Sequence, residues 1–279
     1  MFIGSKIKSA LLVLSISLLL SCGHKEEKKP EDDKILSTEV MTKEIQGKMT
    51  PAQVLQRLKD GNSRFLDGIS TDRDFGYQIK KTSAGQYPGA VILSCIDSRT
   101  SSEIIFDQGI GDLFNVRIAG NFATPEILGS IEYACKVAGS KLVVVIGHNH
   151  CGGVKGTCDN VQLGNISAIV KEIKPALDFV KTAVGEERTS KNHEFVEAVA
   201  KVNVQLTIKE ILEKSDILRE MKQAGTIDVV GAMYNIETGA VEFINAADPI
   251  GKTLESPIGE HHSAEPAKEE HKTEEPKKH

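Results

Sequence analysis

Four short apolar runs stand out along the middle of the chain, at residues 90–93, 113–119, 142–146 and 229–234. Each run is continuous and too short for a buried helix, which predicts strands that are buried on both faces. Segments with apolar residues at helical spacing alternate with these runs, at residues 50–68, 124–139, 161–183 and 194–214. Strands that alternate with helices indicate a mostly parallel sheet covered by helices on both faces.

A fifth strand is predicted where the pattern changes near the end of the apolar region. Residues 235–239 form a short turn, and Val241–Ile244 has the position of a strand that returns antiparallel to the run before it. The first helix has a clear start, because Thr50 is a helix-capping residue and Pro51 suits the first helical position. The predicted fold class is therefore α/β, with four parallel strands, an antiparallel edge strand and flanking helices.

The first residues of the chain resemble a bacterial lipoprotein signal. An apolar run at residues 10–20 follows Lys6 and Lys8; it is too short to span a bilayer but suits the core of a signal peptide. The run leads into Ser21 and Cys22, and in lipoproteins the peptidase cuts before such a cysteine, which then carries the acyl chains. The resemblance implies a signal peptide at residues 1–21, a lipid on Cys22, and a place in the bacterial cell envelope, periplasmic or at the outer membrane. An ordinary secretory signal is the alternative.

Charged segments flank the apolar region at both ends. Residues 22–42 and 251–279 contain few apolar side chains, too few to offset the entropy cost of ordering them. We therefore expect a disordered tether, a domain at residues 43–250 and a disordered tail with four histidines. Zinc scavenging is conceivable for that tail, but a solvated tail is favoured. The net charge is −5 and no arginine-rich stripe appears, which argues against a nucleic-acid partner.

Candidate chemistry follows two of the predicted strands. Cys95, Asp97 and Arg99 come after the run 90–93, and the segment 148–151, His-Asn-His-Cys, comes after the run 142–146. Ligands collect at the carboxyl ends of parallel strands, and two thiolates with one imidazole suit zinc while leaving a fourth position open for catalysis. This chemistry alone does not choose between the two histidines. A redox pair is the competing use of the two thiols, although the chain has no Cys-x-x-Cys motif.

The two segments together resemble the signature of the β-class carbonic anhydrases. Residues 95–99 have the pattern C-x-D-S-R and residues 148–153 the pattern H-x-x-C-G-G, and the similarity extends over residues 50–245. The resemblance implies one Zn²⁺ per chain, bound by Cys95, His148 and Cys151. It also implies a small substrate pocket lined by Gln86, Phe114, Ala119, Tyr133 and Gly152. Gln86 is typical of the plant-like branch.

The resemblance further implies that the protein is a lyase that reversibly hydrates carbon dioxide to bicarbonate and a proton. In the family, Asp97 paired with Arg99 marks the active state, and Asp97 as fourth zinc ligand the resting state; a plain structural ion pair is the alternative. Two thiolates neutralise the charge of the metal, so we expect activity to rise on the alkaline side of neutrality. Hydrolysis of carbon disulfide or carbonyl sulfide, and a non-catalytic zinc-binding surface lipoprotein, are the alternative functions.

Assembly and regulation are also implied by the resemblance. Family members form homodimers or larger homo-oligomers in which an N-terminal helical arm embraces a neighbour. Some members have an inhibitory bicarbonate site that includes a tryptophan three residues before the first zinc cysteine. This chain has Ile92 at that position and no tryptophan at all, so we expect such inhibition to be absent or altered.

Two further cysteines lie outside the zinc signature. Cys135 falls on the predicted helix 124–139, where a buried core thiol is the favoured interpretation. A disulfide between Cys135 and Cys158 is the alternative in an oxidising compartment.

Overall fold

The computed structural model describes residues 36–244 and 249–254. The predicted signal peptide, Cys22, the tether up to residue 35 and the tail from residue 255 lie outside the described residues. Among the helices that are described, none is both long enough and apolar enough to cross a bilayer.

The strands are β1 Ala90–Ser94, β2 Leu113–Arg117, β3 Leu142–His148, β4 Val180–Lys181, β5 Asp228–Tyr234, β6 Val241–Ile244 and β7 Lys252–Thr253. The main sheet has the order β2-β1-β3-β5-β6. Its first four strands are parallel, and β6 runs antiparallel to β5. The predicted α/β fold with an antiparallel edge strand is confirmed. β4 and β7 form a separate parallel pair.

The α-helices are α1 Lys43–Lys48, α2 Pro51–Leu66, α3 Phe75–Thr82, α4 Ser102–Ile105, α5 Pro125–Glu132, α6 Gly152–Cys158, α7 Ile166–Ile173, α8 His193–Lys214 and α9 Asp216–Gln223. A π-helical turn, Tyr133–Val137, extends α5, and a 3₁₀ helix, Lys174–Phe179, extends α7.

The cap predicted for the first long helix is present at α2. Thr50 Oγ1 accepts a hydrogen bond from the Gln53 backbone N–H at 3.3 Å, and Gln53 Oε1 accepts one from the Thr50 N–H at 2.9 Å. This reciprocal capping box satisfies two backbone donors that the first turn of a helix cannot pair by itself.

Alternating side chains of the central strands pack against different helices. Val91, Val143 and their neighbours on one face belong to a buried cluster with residues of α5 and α8. Ile92 and Val144 on the other face pack with Val54 of α2. The alternation follows from the two-residue period of a strand. Helix α2 therefore packs on the sheet of its own chain.

The prediction of one long helix at residues 161–183 is wrong. The structure has α7, the 3₁₀ helix and β4 in this region. Pro175 gives the physical reason: it has no backbone N–H for an α-helical hydrogen bond, and in an α-helix its ring would clash with the carbonyl four residues earlier. The apolar spacing of the segment is real, but the backbone cannot continue one helix through it.

Both predicted domain boundaries need correction. In the predicted tether, the Ser37 N–H donates to the Asp72 carbonyl at 2.7 Å and Met41 is buried. In the predicted tail, β7 pairs with β4 and Leu254 is buried. Because both segments find backbone partners and apolar contacts, the folded part extends beyond residues 43–250.

Cys135 and Cys158 are free thiols. Cys135 is buried beside the sheet face covered by α5 and α8, as predicted, and burial raises its pKa to about 12. Cys158 packs at a different cluster, and burial raises its pKa to about 11. The alternative of a disulfide between them is therefore wrong.

Replacement of Gly61 by alanine should destabilise the fold. The new Cβ on α2 would lie 1.8 Å from the Phe106 carbonyl oxygen, a backbone atom that cannot move aside cheaply. We expect the free energy of unfolding to fall by about 1–3 kcal/mol, the usual cost of overpacking. Gly47→Ala on α1 is the matched control, because nothing lies within 4 Å of its Cβ; helix propensity should stabilise that variant by up to about 1 kcal/mol. Urea unfolding of both variants measures the difference, and equal midpoints would contradict the packing described for α2.

Candidate metal centre

The sheet brings the two chemical segments together. β1 and β3 are parallel neighbours with Ser94 in register with Ile146, so the residues that follow each strand meet at one edge. Cys95 follows β1, His148 ends β3, and Cys151 precedes α6. The ligand atoms of these three buried residues all lie within 4.8 Å of one another.

The spacing of the two sulfur atoms suits one zinc ion. Cys95 Sγ and Cys151 Sγ are 3.9 Å apart. A tetrahedral ion with zinc–sulfur bonds of about 2.3 Å holds its sulfur atoms about 3.8 Å apart. A disulfide, in contrast, would need about 2.05 Å. The thiols therefore stand at the separation of metal ligands.

His148 directs an unpaired nitrogen to the same place. Its Nδ1 lies 2.8 Å from the Asn149 carbonyl oxygen, which can only accept, so Nδ1 carries the proton. Its Nε2 is buried and has no hydrogen-bond partner among the residues described. An orphaned buried imidazole nitrogen is costly, but it becomes a ligand when a metal is bound. The donor set fits zinc.

His150 is not part of this cluster, which resolves the choice between the two histidines. Its Nε2 lies 3.1 Å from Glu237 Oε1, and its ring meets the ring of His193 edge-on. His150 has a φ of 56°, in the left-handed region. This turn of the backbone brings Cys151 back to the site while the His150 side chain faces away from it.

The two thiols polarise each other. The Cys151 thiol donates towards Cys95, which holds the pKa of Cys95 well below its ordinary value and raises the pKa of Cys151. The Gly120 N–H adds a hydrogen bond to Cys95 Sγ at 3.4 Å. One thiolate is thus favoured before any metal arrives, and metal binding releases the second proton.

Asp97 and Arg99 form a two-point ion pair beside the cluster. Arg99 Nε donates to Asp97 Oδ1 at 2.9 Å and Arg99 Nη2 donates to Oδ2 at 2.7 Å. These bonds hold the pKa of Asp97 well below its usual value. Oδ2 is 4.0 Å from His148 Nε2, so the carboxylate faces the metal ligands while Arg99 holds it. This is the paired arrangement and not the one in which Asp97 is a ligand.

Arg117 and Thr100, for which the sequence predicted no role, hold the loop after β1 in place. Arg117 Nε donates to the Cys95 carbonyl at 2.9 Å, and Arg117 Nη2 donates to the Asp97 carbonyl at 2.5 Å. Thr100 Oγ1 donates to the same Asp97 carbonyl at 2.8 Å. A charged residue at the end of β2, the strand next to β1, was the available signal for Arg117.

The predicted pocket residues are spread over the chain. Phe114 and Tyr133 meet edge-on with ring centroids 6.3 Å apart and line a depression of about 580 Å³ along β2 and α5. Gln86 is exposed before β1, Gly152 is exposed at the start of α6, and Ala119 is half-buried. The lining of that depression includes none of the three metal ligands. A single substrate pocket made by these five residues stays a prediction.

Known proteins share both the fold and the sequence of this chain. The family described as carbonic anhydrase matches residues 90–241. The carbonic anhydrase of Mycolicibacterium smegmatis is 34% identical over 208 residues, which cover 72% of this chain and 97% of that protein. Carbonic anhydrase 2 of Mycobacterium tuberculosis is also 34% identical, over 73% of this chain and 98% of the relative.

Among solved structures, the β-carbonic anhydrase CafA of the fungal pathogen Aspergillus fumigatus superposes with a TM-score of 0.54 at 25% identity. The match covers 71% of this chain and 92% of that one. The family match, the relatives and the metal-ligand geometry agree. The chain therefore belongs to the β-class carbonic anhydrases, and its activity is the zinc-dependent hydration of carbon dioxide.

Proposed function

We propose that this chain hydrates carbon dioxide at Cys95, His148 and Cys151, with Asp97 held in its active orientation by Arg99. The observation that carries the proposal is the buried, unpartnered Nε2 of His148, which lies 4.0 Å from the Arg99-bound carboxylate of Asp97. When bound, zinc supplies the Lewis acid that makes hydroxide available from water near neutral pH. The chain orients Asp97, balances the charge of the ion with two thiolates and surrounds the site with apolar side chains.

Asp97 acts as an oriented acceptor. Its pKa is depressed by Arg99, so the carboxylate remains ionised throughout the neutral range and can accept a hydrogen bond from a reacting O–H group. Because such a carboxylate is a weak base, it does not retain a proton that it accepts. Arg99 fixes both oxygens through its planar fork, which keeps Asp97 from rotating onto the metal.

Apolar side chains surround the thiols. Cys95 and Cys151 belong to a buried cluster that includes Phe122, Val154 and Ile173. Carbon dioxide is small and neutral, so such surroundings cost it little desolvation, whereas they disfavour charged competitors. The two thiolates neutralise the charge of the ion, which reduces the acidity that it gives to water.

Hydration should therefore increase with pH. We expect zinc-loaded protein comprising residues 23–279, with Cys22→Ser, to hydrate carbon dioxide at a rate that rises from about pH 6.5 to about pH 9. Stopped-flow measurement with a pH indicator gives the rate. A rate no higher than that of buffer, from folded protein holding one zinc per chain, would contradict hydration. Turnover of carbon disulfide or carbonyl sulfide by that protein would favour the alternative substrate.

Arg99→Lys is the control that separates zinc binding from turnover. Lysine is a point donor and cannot hold both carboxylate oxygens of Asp97. We expect this variant to keep its zinc but to lose about 10-fold or more of its activity, the size of a charged hydrogen bond. Unchanged activity would show that the ion pair is structural only.

We propose that a lipid on Cys22 anchors the enzyme in the cell envelope, in the periplasm or at the outer membrane. The support is the apolar run at residues 10–20 that ends just before Cys22. Several acyl chains on one residue would make membrane attachment stable. The described residues begin at Leu36, so this proposal rests on sequence alone.

Replacement of Cys22 by serine should release the protein from the membrane. We expect the native precursor, expressed in a bacterial host, to partition into the detergent phase of a Triton X-114 extraction and the Cys22→Ser variant to partition into water. Mass spectrometry of the mature N-terminus would identify the acyl chains. A native protein without acyl mass would indicate an ordinary secretory signal.

We propose that the enzyme is a homodimer or a larger homo-oligomer. β2 is an edge strand of the main sheet. Two apolar side chains next to it, Ile104 on α4 and Tyr133 against Phe114, are 62% and 51% exposed. A second copy would cover this apolar edge. Sedimentation equilibrium should therefore give at least twice the mass of one chain, and a monomer mass at micromolar concentration would contradict the proposal.

A further inference from the structure

The ring of His148 takes its orientation from the residue that follows it. Its Nδ1–H donates to the backbone carbonyl of Asn149 at 2.8 Å. Every residue has a backbone carbonyl, so any side chain at position 149 would leave this acceptor in the chain. The side chain can, however, determine where the carbonyl lies. The ring of His148 can direct Nε2 at the thiols only while that carbonyl is held in place.

Asn149 is fastened to the end of β5 by two further bonds. Its backbone N–H donates to the Tyr234 carbonyl at 3.3 Å, and its side-chain Oδ1 accepts from the Ile236 N–H at 2.8 Å. Asn149 is only 5% exposed, so water does not compete freely for these groups. The side-chain bond extends the β3–β5 pairing past His148, where the ladder ends at Tyr234.

The turn that receives Asn149 is itself well fixed. Asn235 Oδ1 accepts hydrogen bonds from the N–H groups of Glu237 at 2.8 Å and Thr238 at 3.1 Å. Its backbone N–H donates to the Ala240 carbonyl at 2.9 Å. Such side-chain capping is the usual means by which asparagine sets a turn. The Ile236 N–H therefore has a defined direction before Asn149 meets it.

A third asparagine holds the far side of the same turn. Asn62 on α2 donates from Nδ2 to the Gly239 carbonyl at 3.0 Å and accepts at Oδ1 from the Val241 N–H at 3.0 Å. Asn62 is buried. Asn62, Asn235 and Asn149 thus connect helix α2, through one turn, to the loop of the metal ligands.

We propose that Asn149 is a positioning residue that fixes the metal-facing tautomer and orientation of His148 before zinc binds. Its side chain holds its own carbonyl, and that carbonyl holds the proton on Nδ1. Groups that orient a ligating histidine typically contribute about 10- to 100-fold in metal affinity. The inference rests on the zinc site of the proposed function but not on turnover of carbon dioxide.

A neighbouring contact provides a control. His150 Nε2 and Glu237 Oε1, 3.1 Å apart, also link the loop to the turn, but the Glu237 side chain is 66% exposed. Exposed ion pairs contribute little. If all links between the loop and the turn contributed equally, Glu237→Gln would weaken zinc binding as much as a change at Asn149.

Zinc affinity, measured by competition with a chromogenic chelator, tests the proposal in the full mature chain. His24 and the four tail histidines are replaced by glutamine in every variant, so that three of the eight histidines remain. We expect Asn149→Ala to weaken zinc binding by about 10- to 100-fold. Asn149→Asp, which keeps an oxygen for the Ile236 N–H, should bind zinc more tightly than the alanine variant, and Glu237→Gln should match the parent.

Nitrogen-15 NMR of the histidine rings gives the readout that a merely structural role would not change. In the parent, His148 should carry its proton on Nδ1 both with zinc and without it, and the zinc-loaded alanine variant should show a broadened or shifted Nδ1 signal. Parent-like zinc affinity and ring signals in folded Asn149→Ala would overturn the proposal. Should that variant not fold, a zinc-free parent with its His148 proton on Nε2 would overturn it equally. A parent that binds zinc as described but fails to hydrate carbon dioxide would refute only the proposed function.

Discussion

The parallel pairing of β1 with β3 is the constraint on which the metal centre depends. Two residues that are 56 apart in sequence, Cys95 and Cys151, come within 3.9 Å because their strands end at the same edge in fixed register. A slip of one residue would turn every side chain of the slipped strand to the opposite face. The fully buried runs on both strands prevent such a slip, because both faces of the sheet are packed. The positions of the metal ligands at this edge are therefore fixed by the packing of the core beneath them.

Charge is distributed around the centre so that each group keeps one protonation state. The Cys95 thiolate is stabilised by the neighbouring thiol and by the Gly120 N–H, and Asp97 is kept ionised by Arg99. The proton of His148 sits on the nitrogen that faces a carbonyl. These assignments come from partners on different segments: the turn after β2, the loop after β1, and the loop after β3. The site is therefore pre-organised by the fold and not by the metal alone.

Much of this arrangement is local enough to be predicted from sequence. The strands follow from short apolar runs, and the zinc ligands from two motifs at strand ends. The predictions fail where distant residues decide. Residues 36–42 were grouped with the charged segment before them, yet Leu36, Val40 and Met41 are apolar and Ser37 pairs with a loop at Arg73. Pro175 ends a helix whose apolar spacing continues past it. Arg117 acts through carbonyl groups of the loop after β1, and no side-chain pattern encodes the position of those acceptors.

The contacts of residues 36–42 also have a mechanical meaning. A load that enters the chain from its N-terminal side first meets the backbone bonds of Ser37 to Asp72 and Asp74. Behind them, Arg73 grips the buried carboxylate of Asp107, which Arg64 of α2 also holds. The pull is thus shared between a loop and a helix before it can reach β1. For the lipid anchor proposed on Cys22, tension would therefore be borne by this loop and by α2 before it could act on the metal ligands.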